Sequence, residues 1–575
     1  MVRHLKAKHL LDYEKESEKK KPVSTASESP APATTANDRP TASTSGDQSA
    51  SAPRPPCPPA PPGYRQPTFA EAIERREKYK PDHRRKKEID DLIIEMIIKD
   101  TRPMSAVEDK GFVKLIKYLD PRYEMISRST LRDIRLPGLY YYAKEELKKQ
   151  LANVSSVSIT TDSWTSVALQ NYTTITAHYI DQEWALNSKV LCTRSNGKAH
   201  TSPNLSAELS TCFKEFGIEG KVAYIVTDNA PNIVKAAADL TSQHPCLAHT
   251  LNLAVKDALK ETGVKELIGK VKSIVTFFKS SPKQVQVLRD IHTKNGTKFY
   301  KLKQECETRW NSALTMFQSY ITQHEEITEV LSKAGKANLC LLKDDSNDDV
   351  ENIKSAIKSL KPLKEATEEL SSEHFTTASK CVPMMTALKK AVSRDTTPLG
   401  LALTDALASR FDHLLKENYL NIATALDPRF KTKNIQAPIN NKIKDLLPKE
   451  SNQTHQPESA TPQWQKKVAE SSYWKEWEEE NCADEQESLT TAEMELQYFV
   501  NLPNLQRGCD PLKWWKAQTH ALPEMTLLAK KFLAIPGTSV PSERIFSKAG
   551  QIVSKRRSSL KPKNVDMLLF LNKNL

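Results

Sequence analysis

The stretch SVSITTDSWTS, residues 156–166, carries the first signal of the fold. Side chains alternate along it, with Val157 and Ile159 on one side and Ser158 and Thr160 on the other. This alternation predicts a half-buried β-strand that ends at Asp162. A lone carboxylate at that position is either a solvated strand end or one wall of a metal site. On spacing alone, the solvated strand end is the simpler interpretation.

The segments that follow predict a layer of strands and helices. The runs NYTTITAHYI and WALNSKVLCTR are rich in strand-forming residues, and the break at 181–183 is short enough for a hairpin. Helical spacing then runs over 205–216 and stops at Gly217. The next run, KVAYIVTDNA, is almost entirely apolar, which is typical of a strand buried on both faces. It also ends in an aspartate, Asp228.

Two strands that end in aspartate can share a metal. Neighbouring parallel strands lie about 4.8 Å apart, so carboxylates at their matching ends can bind the same divalent cations. Metals held in this way activate a water or a 3′-hydroxyl for phosphoryl transfer. Oxygen ligands favour Mg²⁺ or Mn²⁺ over zinc. Asp162 and Asp228 are therefore candidate ligands, and spacing does not identify the third acidic residue that such a site needs.

The composition favours a nucleic-acid partner. The chain has 575 residues, enough for several domains, and a formal net charge of +13. That excess favours a polyanion, with nucleic acid ahead of a membrane, and a solvated basic surface is the alternative. We find no run of about 18 apolar residues for a membrane span. Scattered single cysteines favour a reducing compartment, and basic runs such as 84–87 and 555–557 are compatible with nuclear import.

The rest of the chain divides by composition and period. A mean hydropathy of −0.56 suggests that part of it is unfolded, and the Pro- and Ser-rich residues 13–67 are predicted to be a disordered linker. Residues 68–150 show helical apolar stripes beside a basic cluster, which fits a DNA-binding helical domain or a plain helical connector. From about 230 to 500 the period is mostly helical. Pro541 and Ser542 then start a helix that carries Glu543.

Six motifs resemble, in this order, those of the hAT superfamily of DNA transposases, and especially the zinc-finger BED-domain proteins derived from them. They are TTDSWTS, YIVTDNAPNIVKA, CLAHTLNLAV, ETRWNS, LDPRFK and PSERIFSKAGQIVSKRRSSLKPKNVDMLLFLN. The resemblance runs from about residue 90 to the end of the chain and is most specific in the last block. It implies an α/β protein whose RNase H-like catalytic fold is interrupted by a large all-α insertion.

The resemblance also implies a domain order. The segments are a BED zinc-finger remnant over 1–12, the linker over 13–67, a helical DNA-binding or intermediate domain over 68–150, the first part of the RNase H-like domain over 151–320, the all-helical insertion over 321–500, and a helical C-terminal dimerisation region over 501–575 that completes the RNase H-like fold. The partners implied are DNA and a second copy of the chain.

Three residues match the catalytic acids of the family: Asp162, Asp228 and Glu543. The resemblance implies that they form an Asp-Asp-Glu triad that binds Mg²⁺ or Mn²⁺ in an active enzyme. Without the resemblance, Glu543 would be an ordinary acidic residue in a first helical turn, where the helix dipole favours it.

Further residues match elements that support the DNA end in this family. Cys246 and His249 match its C/D-x-x-H element, and Trp310 matches the tryptophan associated with the flipped base and the hairpin end. From the residues alone, Cys246 and His249 are core residues of an amphipathic helix, because two zinc ligands make no closed site. Trp310 would be a helix-packing aromatic, and Trp514 and Trp515 are interpreted as core residues.

The N-terminus contains half of a zinc finger. His4 and His9 have a plausible spacing for the histidine pair of a BED finger, but no cysteine precedes them. The first cysteine, Cys57, lies in the linker. Because a structural zinc site needs four ligands, we interpret residues 1–12 as the end of a truncated finger and expect no bound zinc.

Two functions of different classes are consistent with these features. The first is a nuclear DNA-binding protein, derived from a hAT transposase, that dimerises through its C-terminal region and regulates transcription without cutting DNA. The second is an active cut-and-paste transposase that uses the metal-dependent triad. A minor alternative is SUMO-protein ligase activity, described for one BED-domain relative, for which the residues show neither a catalytic cysteine nor a ligase fold.

Overall fold

The structure is a computed structural model that describes residues 68, 77–166, 169–195, 197, 199–261, 263–341, 348–372, 375–431, 436–447, 490–553 and 560–575. The chain splits into two units, Met1–Thr68 and Phe69–Leu575, and the second contains every helix and strand of the described residues. The predicted finger remnant with His4 and His9 and the predicted linker over 13–67 lie outside the described residues.

Five strands form one mixed sheet. They are β1 (Val157–Thr165), β2 (Asn171–Ile180), β3 (Leu186–Arg194), β4 (Val222–Thr227) and β5 (Ser242–Pro245). Their order across the sheet is β3-β2-β1-β4-β5. β2 pairs antiparallel with β1 and β3, whereas β4 pairs parallel with β1 and β5. The predicted hairpin and α/β layer are confirmed, and β5 escaped prediction because its four residues are too few to show a period.

The prediction that β1 is half-buried is wrong for its first five residues. All residues from Val157 to Thr161 are buried, on both faces of the strand. The reason is that β1 is the central strand and its hydroxyl-bearing face is covered. The Thr160 hydroxyl lies 2.9 Å from His178 Nε2 and 2.8 Å from the Ser542 hydroxyl, so side chains replace water as its hydrogen-bond partners.

Helices precede the sheet in chain order, as the sequence predicts. They are α1 (Arg84–Lys99), α2 (Lys110–Leu119) and α3 (Leu136–Ala152), with a 3-10 turn at Met104–Glu108 and short helical turns at Arg128–Thr130 and Leu131–Arg135. Helix α1 buries the four isoleucines of its apolar stripe, whereas α2 buries none of its residues.

Two helices lie among the strands. Helix α4 (Ser202–Phe216) connects β3 to β4, and α5 (Pro231–Ala238) connects β4 to β5. Helix α4 ends where predicted because Gly217 takes a left-handed conformation, with φ of 64°. The next N–H, of Ile218, then donates to the carbonyl of Phe213 at 3.0 Å and closes the helix end.

From Leu247 onward the described residues form helices joined by loops and short 3-10 turns. The first group is α6 (Leu247–Glu261), α7 (Val264–Ser280), α8 (Pro282–Asn295), α9 (Asn311–Ile321), α10 (His324–Lys333), α11 (Asp349–Leu370), α12 (Ala378–Val392), α13 (Pro398–Phe411), α14 (Asn418–Ala425) and α15 (Gln436–Leu446). The second group is α16 (Thr491–Asn501), α17 (Pro511–Gln518), α18 (Pro523–Leu533), α19 (Val540–Ile552) and α20 (Pro562–Asn574).

The last two helices belong to the core of the sheet. Ile545 of α19 and Phe570 of α20 are buried in the same hydrophobic cluster as Ile159 of β1. Helix α20 also covers the edge strand β3, where Asp566 accepts the backbone N–H of Thr193 at 2.6 Å. Side-chain bonds of this kind satisfy an edge that would otherwise be free to pair with another chain. The C-terminal region is therefore part of the sheet domain.

Candidate active site

The two strand-end aspartates are brought together by the register of the sheet. Thr160 of β1 pairs with Val226 of the parallel strand β4. Asp162 and Asp228 each come two residues later, so they lie on the same face of neighbouring strands. Each is oriented by backbone: Ser163 N–H donates to Asp162 Oδ1 at 2.8 Å, and Ala230 N–H donates to Asp228 Oδ1 at 3.1 Å.

Helix α19 lies along the same face of β1. At its start the Ser542 and Thr160 hydroxyls are 2.8 Å apart, and one turn later the rings of Phe546 and Trp164 have centroids 5.9 Å apart. Asp162 lies midway between Thr160 and Trp164 on the strand. Glu543, the residue after Ser542, is thereby placed beside Asp162.

The loop before α19 is held by close packing. A Cβ atom on Gly537 would come within 2.9 Å of the Cys381 sulfur, so only glycine fits without movement. The Gly537 carbonyl accepts the N–H of Leu247 at 3.1 Å, and its own N–H donates to the Thr377 hydroxyl at 2.8 Å. Helices α6 and α12 therefore fix the point at which α19 begins.

The electrostatics show that the other two acids act on Asp162. Burial, then the negative charge of Asp228, then that of Glu543 raise the pKa of Asp162 to about 8, against one hydrogen bond from Ser163 that lowers it. All three side chains are half-buried. Like charges in partly excluded water favour the protonated acid, so Asp162 is mainly neutral near pH 7.

The donor set suits a hard cation. Mg²⁺ is usually held by one or two carboxylates, with waters and substrate phosphates completing its shell. Asp162, Asp228 and Glu543 offer carboxylate oxygens whose mutual repulsion a divalent cation would relieve, so they fit Mg²⁺ or Mn²⁺. Over the described ranges, however, no group of three or more His, Cys, Asp or Glu side chains is gathered closely enough to hold one ion. The three acids therefore lie too far apart to form a closed three-ligand site.

Cys246 and His249 lie at the start of α6. Cys246 follows β5 and is fully buried, and its backbone N–H donates to the carbonyl of Thr227 at 2.7 Å, next to Asp228. Burial raises the pKa of its thiol to about 11. The His249 N–H donates to the Cys246 sulfur at 3.5 Å. This pair ties the end of β4 to α6.

His249, Trp310 and Glu543 line one cavity of about 350 Å³, together with Arg309 and Arg544. The structure thus brings these sequence-predicted residues to the same place. Trp310 is only 4% exposed, and its backbone N–H donates to Asn252 at 3.2 Å. Its indole N–H is buried and has no acceptor within the described part of the chain.

Two contacts of this site were not predicted from the sequence. Ser542, predicted only as part of a helix start, contacts Thr160 and positions α19, and Trp164 stacks on Tyr172 with ring centroids 4.7 Å apart. The period of the strand could have indicated Trp164, because it lies two residues beyond Asp162 and so on the same face. Nothing local indicated Ser542, whose partner lies on another element.

Three models of known protein families match parts of this chain. The chain matches the ZBED1 RNase-like domain over residues 160–265 and the ZBED1 RNase-like helical domain over 244–358. Residues 495–575 match the hAT family C-terminal dimerisation region. Over these ranges the chain is similar to transposase-derived proteins of the hAT family. The RNase H-like fold, the helical region and the helical C-terminal dimerisation region are therefore confirmed.

The relatives of this chain include zinc finger BED domain-containing proteins and proteins named as transposases. Human zinc finger BED domain-containing protein 4 is 28% identical over 87% of this chain and 44% of its own length. The Zea mays protein named "Putative AC transposase" is 26% identical over 82% of this chain and 63% of its own length. The Arabidopsis thaliana BED-domain protein DAYSLEEPER is 24% identical over 83% and 72%. The chain spans less than two thirds of the human and maize relatives.

Within the residues that the structure describes, no helix is both long enough and apolar enough to cross a membrane.

Proposed function

We propose that this chain binds DNA in the nucleus as a homodimer and retains a metal-dependent centre that cleaves and joins DNA strands. The observation that carries the proposal is geometric: the register of β1 and β4 sets Asp162 and Asp228 side by side, and the contact of Ser542 with Thr160 brings Glu543 of α19 beside them. Gathering like charges in a half-buried place destabilises a fold unless a cation compensates. Nothing in simple DNA binding requires such a cluster. The formal net charge of +13 suits a polyanionic substrate.

The three acids have separate parts in this proposal. Asp162 and Asp228, held by backbone N–H groups, would bind the cation from the sheet, and Glu543 would complete the shell from α19. When bound, Mg²⁺ or Mn²⁺ activates the attacking hydroxyl or water and stabilises the leaving oxygen. Since the Asp162 carboxyl is mainly protonated near pH 7, it has to release its proton to become a ligand.

The cavity beside Glu543 is proposed to receive the DNA end. Arg309 and Arg544 line it and provide positive charge for phosphates. Trp310 contributes to its wall a buried indole N–H that has no acceptor among the described residues.

A cleavage assay with the full chain tests the catalytic part. Duplexes made from the DNA on either side of its own gene are incubated with Mn²⁺ or Mg²⁺. We expect cleavage by the wild type, loss of cleavage with retained DNA binding for Asp228→Asn, and no change for Asp239→Asn. The last is a matched control, because Asp239 is exposed and lies at the end of α5. Equal cleavage by wild type and Asp228→Asn would show that the triad is not the centre.

A DNA-binding transcription regulator without cleavage is the second candidate. The observation that favours it is that, in the part of the chain described, the acids are not gathered tightly enough for a three-ligand metal site. In that case wild type and Asp228→Asn bind DNA with equal affinity, neither cuts it, and both change expression of a reporter alike.

The dimerisation part needs point substitutions. Deleting the region would also remove Glu543 and the core residues of α19 and α20. Within the residues that match the dimerisation region, Tyr498 is 53% and Leu527 54% exposed, on helices α16 and α18 that pack together. We expect Tyr498→Glu with Leu527→Glu to give a monomer in light scattering. Leu401→Glu, at an equally exposed leucine of α13, should stay dimeric, and a dimeric double variant would place the interface elsewhere.

A further inference from the structure

A second cavity lies at the opposite end of α19 from Glu543. Its volume is about 490 Å³, and its walls come from the N-terminal helices and from the two C-terminal helices. Ile552, the last residue of α19, is one of its lining residues. We call it the basic cavity after the five cations that line it: Arg102, Arg128, Arg132, Lys561 and Lys563.

The charges around the basic cavity are unbalanced. Asp133 is its only acidic lining residue among those described, and it is paired with Arg132. Glu108, outside the lining, lies 3.5 Å from Arg128. Within the described ranges, Arg102, Lys561 and Lys563 form no ion pair. All five cations are exposed to solvent, so a large anion can reach them.

The walls of the basic cavity are held together by buried hydrogen bonds. The side-chain amide of Asn572, on α20, donates to the carbonyls of Ile98 at 2.6 Å and Lys99 at 3.2 Å. Its oxygen accepts a hydrogen bond from Lys548 of α19 at 2.7 Å. The end of α1 is therefore fixed against both C-terminal helices. Cations held on a fixed frame lose less entropy when an anion binds.

The turn that carries Arg102 is also fixed. Thr101 has a left-handed backbone with φ of 52°, which is rare for a β-branched residue. The Arg102 N–H donates back to the carbonyl of Ile97 at 3.0 Å, which closes the end of α1. Strained residues of this kind concentrate at functional sites.

The basic cavity is separate from the acidic site. Glu543 and Ile552 are nine residues apart on α19, a rise of about 13 Å along the helix axis. Nine residues also rotate the helix by about two and a half turns, so the two side chains lie on opposite faces of α19. The cations of the basic cavity therefore form a second charged surface, distinct from the three acids.

We propose that the basic cavity binds backbone phosphates of the DNA whose reacting bond is held at Asp162, Asp228 and Glu543. This inference rests on the proposed function, since it assumes that DNA occupies the acidic site. The cavity adds affinity that depends on salt and is independent of sequence.

The test uses the full chain, a short DNA duplex and a salt titration. Arg102→Gln with Lys563→Gln removes two cations that are unpaired among the described residues. We expect affinity to fall roughly tenfold at low salt and the slope of log affinity against log salt to decrease by about 0.9 per lost phosphate contact. The matched control is Lys265→Gln with Lys283→Gln, which removes the same charge from exposed positions on α7 and α8. That control should keep the wild-type slope.

The outcomes separate this inference from the proposed function. If the wild type does not bind the duplex, the proposed function fails and this inference with it. If the wild type binds and the Arg102/Lys563 variant keeps the same slope, the inference is wrong while DNA binding stands. Equal losses in both double variants would mean that diffuse charge, and no particular cavity, attracts the DNA. Because the changed side chains are exposed, thermal melts should show both variants folded.

Discussion

The two ends of helix α19 lie next to groups of opposite charge, one half-buried and the other exposed to solvent. At the first turn, Glu543 lies beside Asp162 and Asp228, and all three are half-buried. At the last residue, Ile552 borders five exposed cations. Where water is partly excluded, repulsion is strong and raises a pKa, whereas exposed charges are screened. Near neutral pH, the acidic end therefore needs a bound cation to ionise fully. The exposed cations at the basic end repel one another only weakly, so they need no bound polyanion for the fold to be stable.

The largest expected effect is that of Asp162→Asn, which should abolish DNA cleavage and raise the Tm. An aspartate in an unfolded chain has a pKa of about 4, and Asp162 in the fold has one of about 8. The native carboxyl therefore destabilises the fold increasingly as pH rises between these values. Thermal melts across this range should show the gap between variant and wild type widening with pH and levelling above the higher value. A gap that is constant with pH would contradict the unusual pKa.

Binding of Mn²⁺ gives a second test of the acidic end of α19. Binding at the acidic end lowers the pKa of Asp162, so it competes with a proton near neutral pH. The Mn²⁺-induced rise in Tm of the wild type should therefore grow as pH increases toward about 8. The same titration on Asp162→Asn should give a smaller rise with little pH dependence. An equal rise in the variant would place the metal elsewhere.

At the basic end, Asn572→Ala should destabilise the fold by about 1–3 kcal/mol, because carbonyls at the end of α1 lose their donor. The variant removes both bonds to Ile98 and Lys99. Urea unfolding measures the loss, and Asn295→Ala, at an exposed asparagine that ends α8, should cost less than about 0.5 kcal/mol. A loss no larger than that of the control would show that the two walls are not joined through this side chain.

A smaller effect is expected for Ser542→Ala, which should lower the free energy of unfolding by about 1 kcal/mol. The loss is small because the Thr160 hydroxyl keeps its hydrogen bond to His178. Cleavage should decrease more than stability suggests, since Ser542 holds the start of α19 and hence Glu543. Ser273→Ala, at an exposed position on α7 whose hydroxyl bonds only within its own helix, is the matched control and should leave cleavage unchanged. If both variants cut equally well, Ser542 has no positioning role.

Local patterns determined much of the fold. The isoleucine stripe of α1, the hairpin after β2 and the end of α4 at Gly217 all follow from period and backbone preference. The two aspartates were candidates because each closes a strand, and a parallel pair sets such ends side by side. Glu543 came only from the family resemblance, because its own surroundings in sequence are those of any first helical turn.

Tertiary structure determined which distant segments of the chain contact one another. It buried both faces of β1, placed α20 along the edge of β3, and set Arg102 and Lys563 around one cavity. It also raised the pKa of Asp162, first through burial and then through two charges from other elements. The physical reason is that periodicity records which side of a helix or strand is apolar. Which other surface meets that side depends on packing across hundreds of residues, and no local pattern contains it.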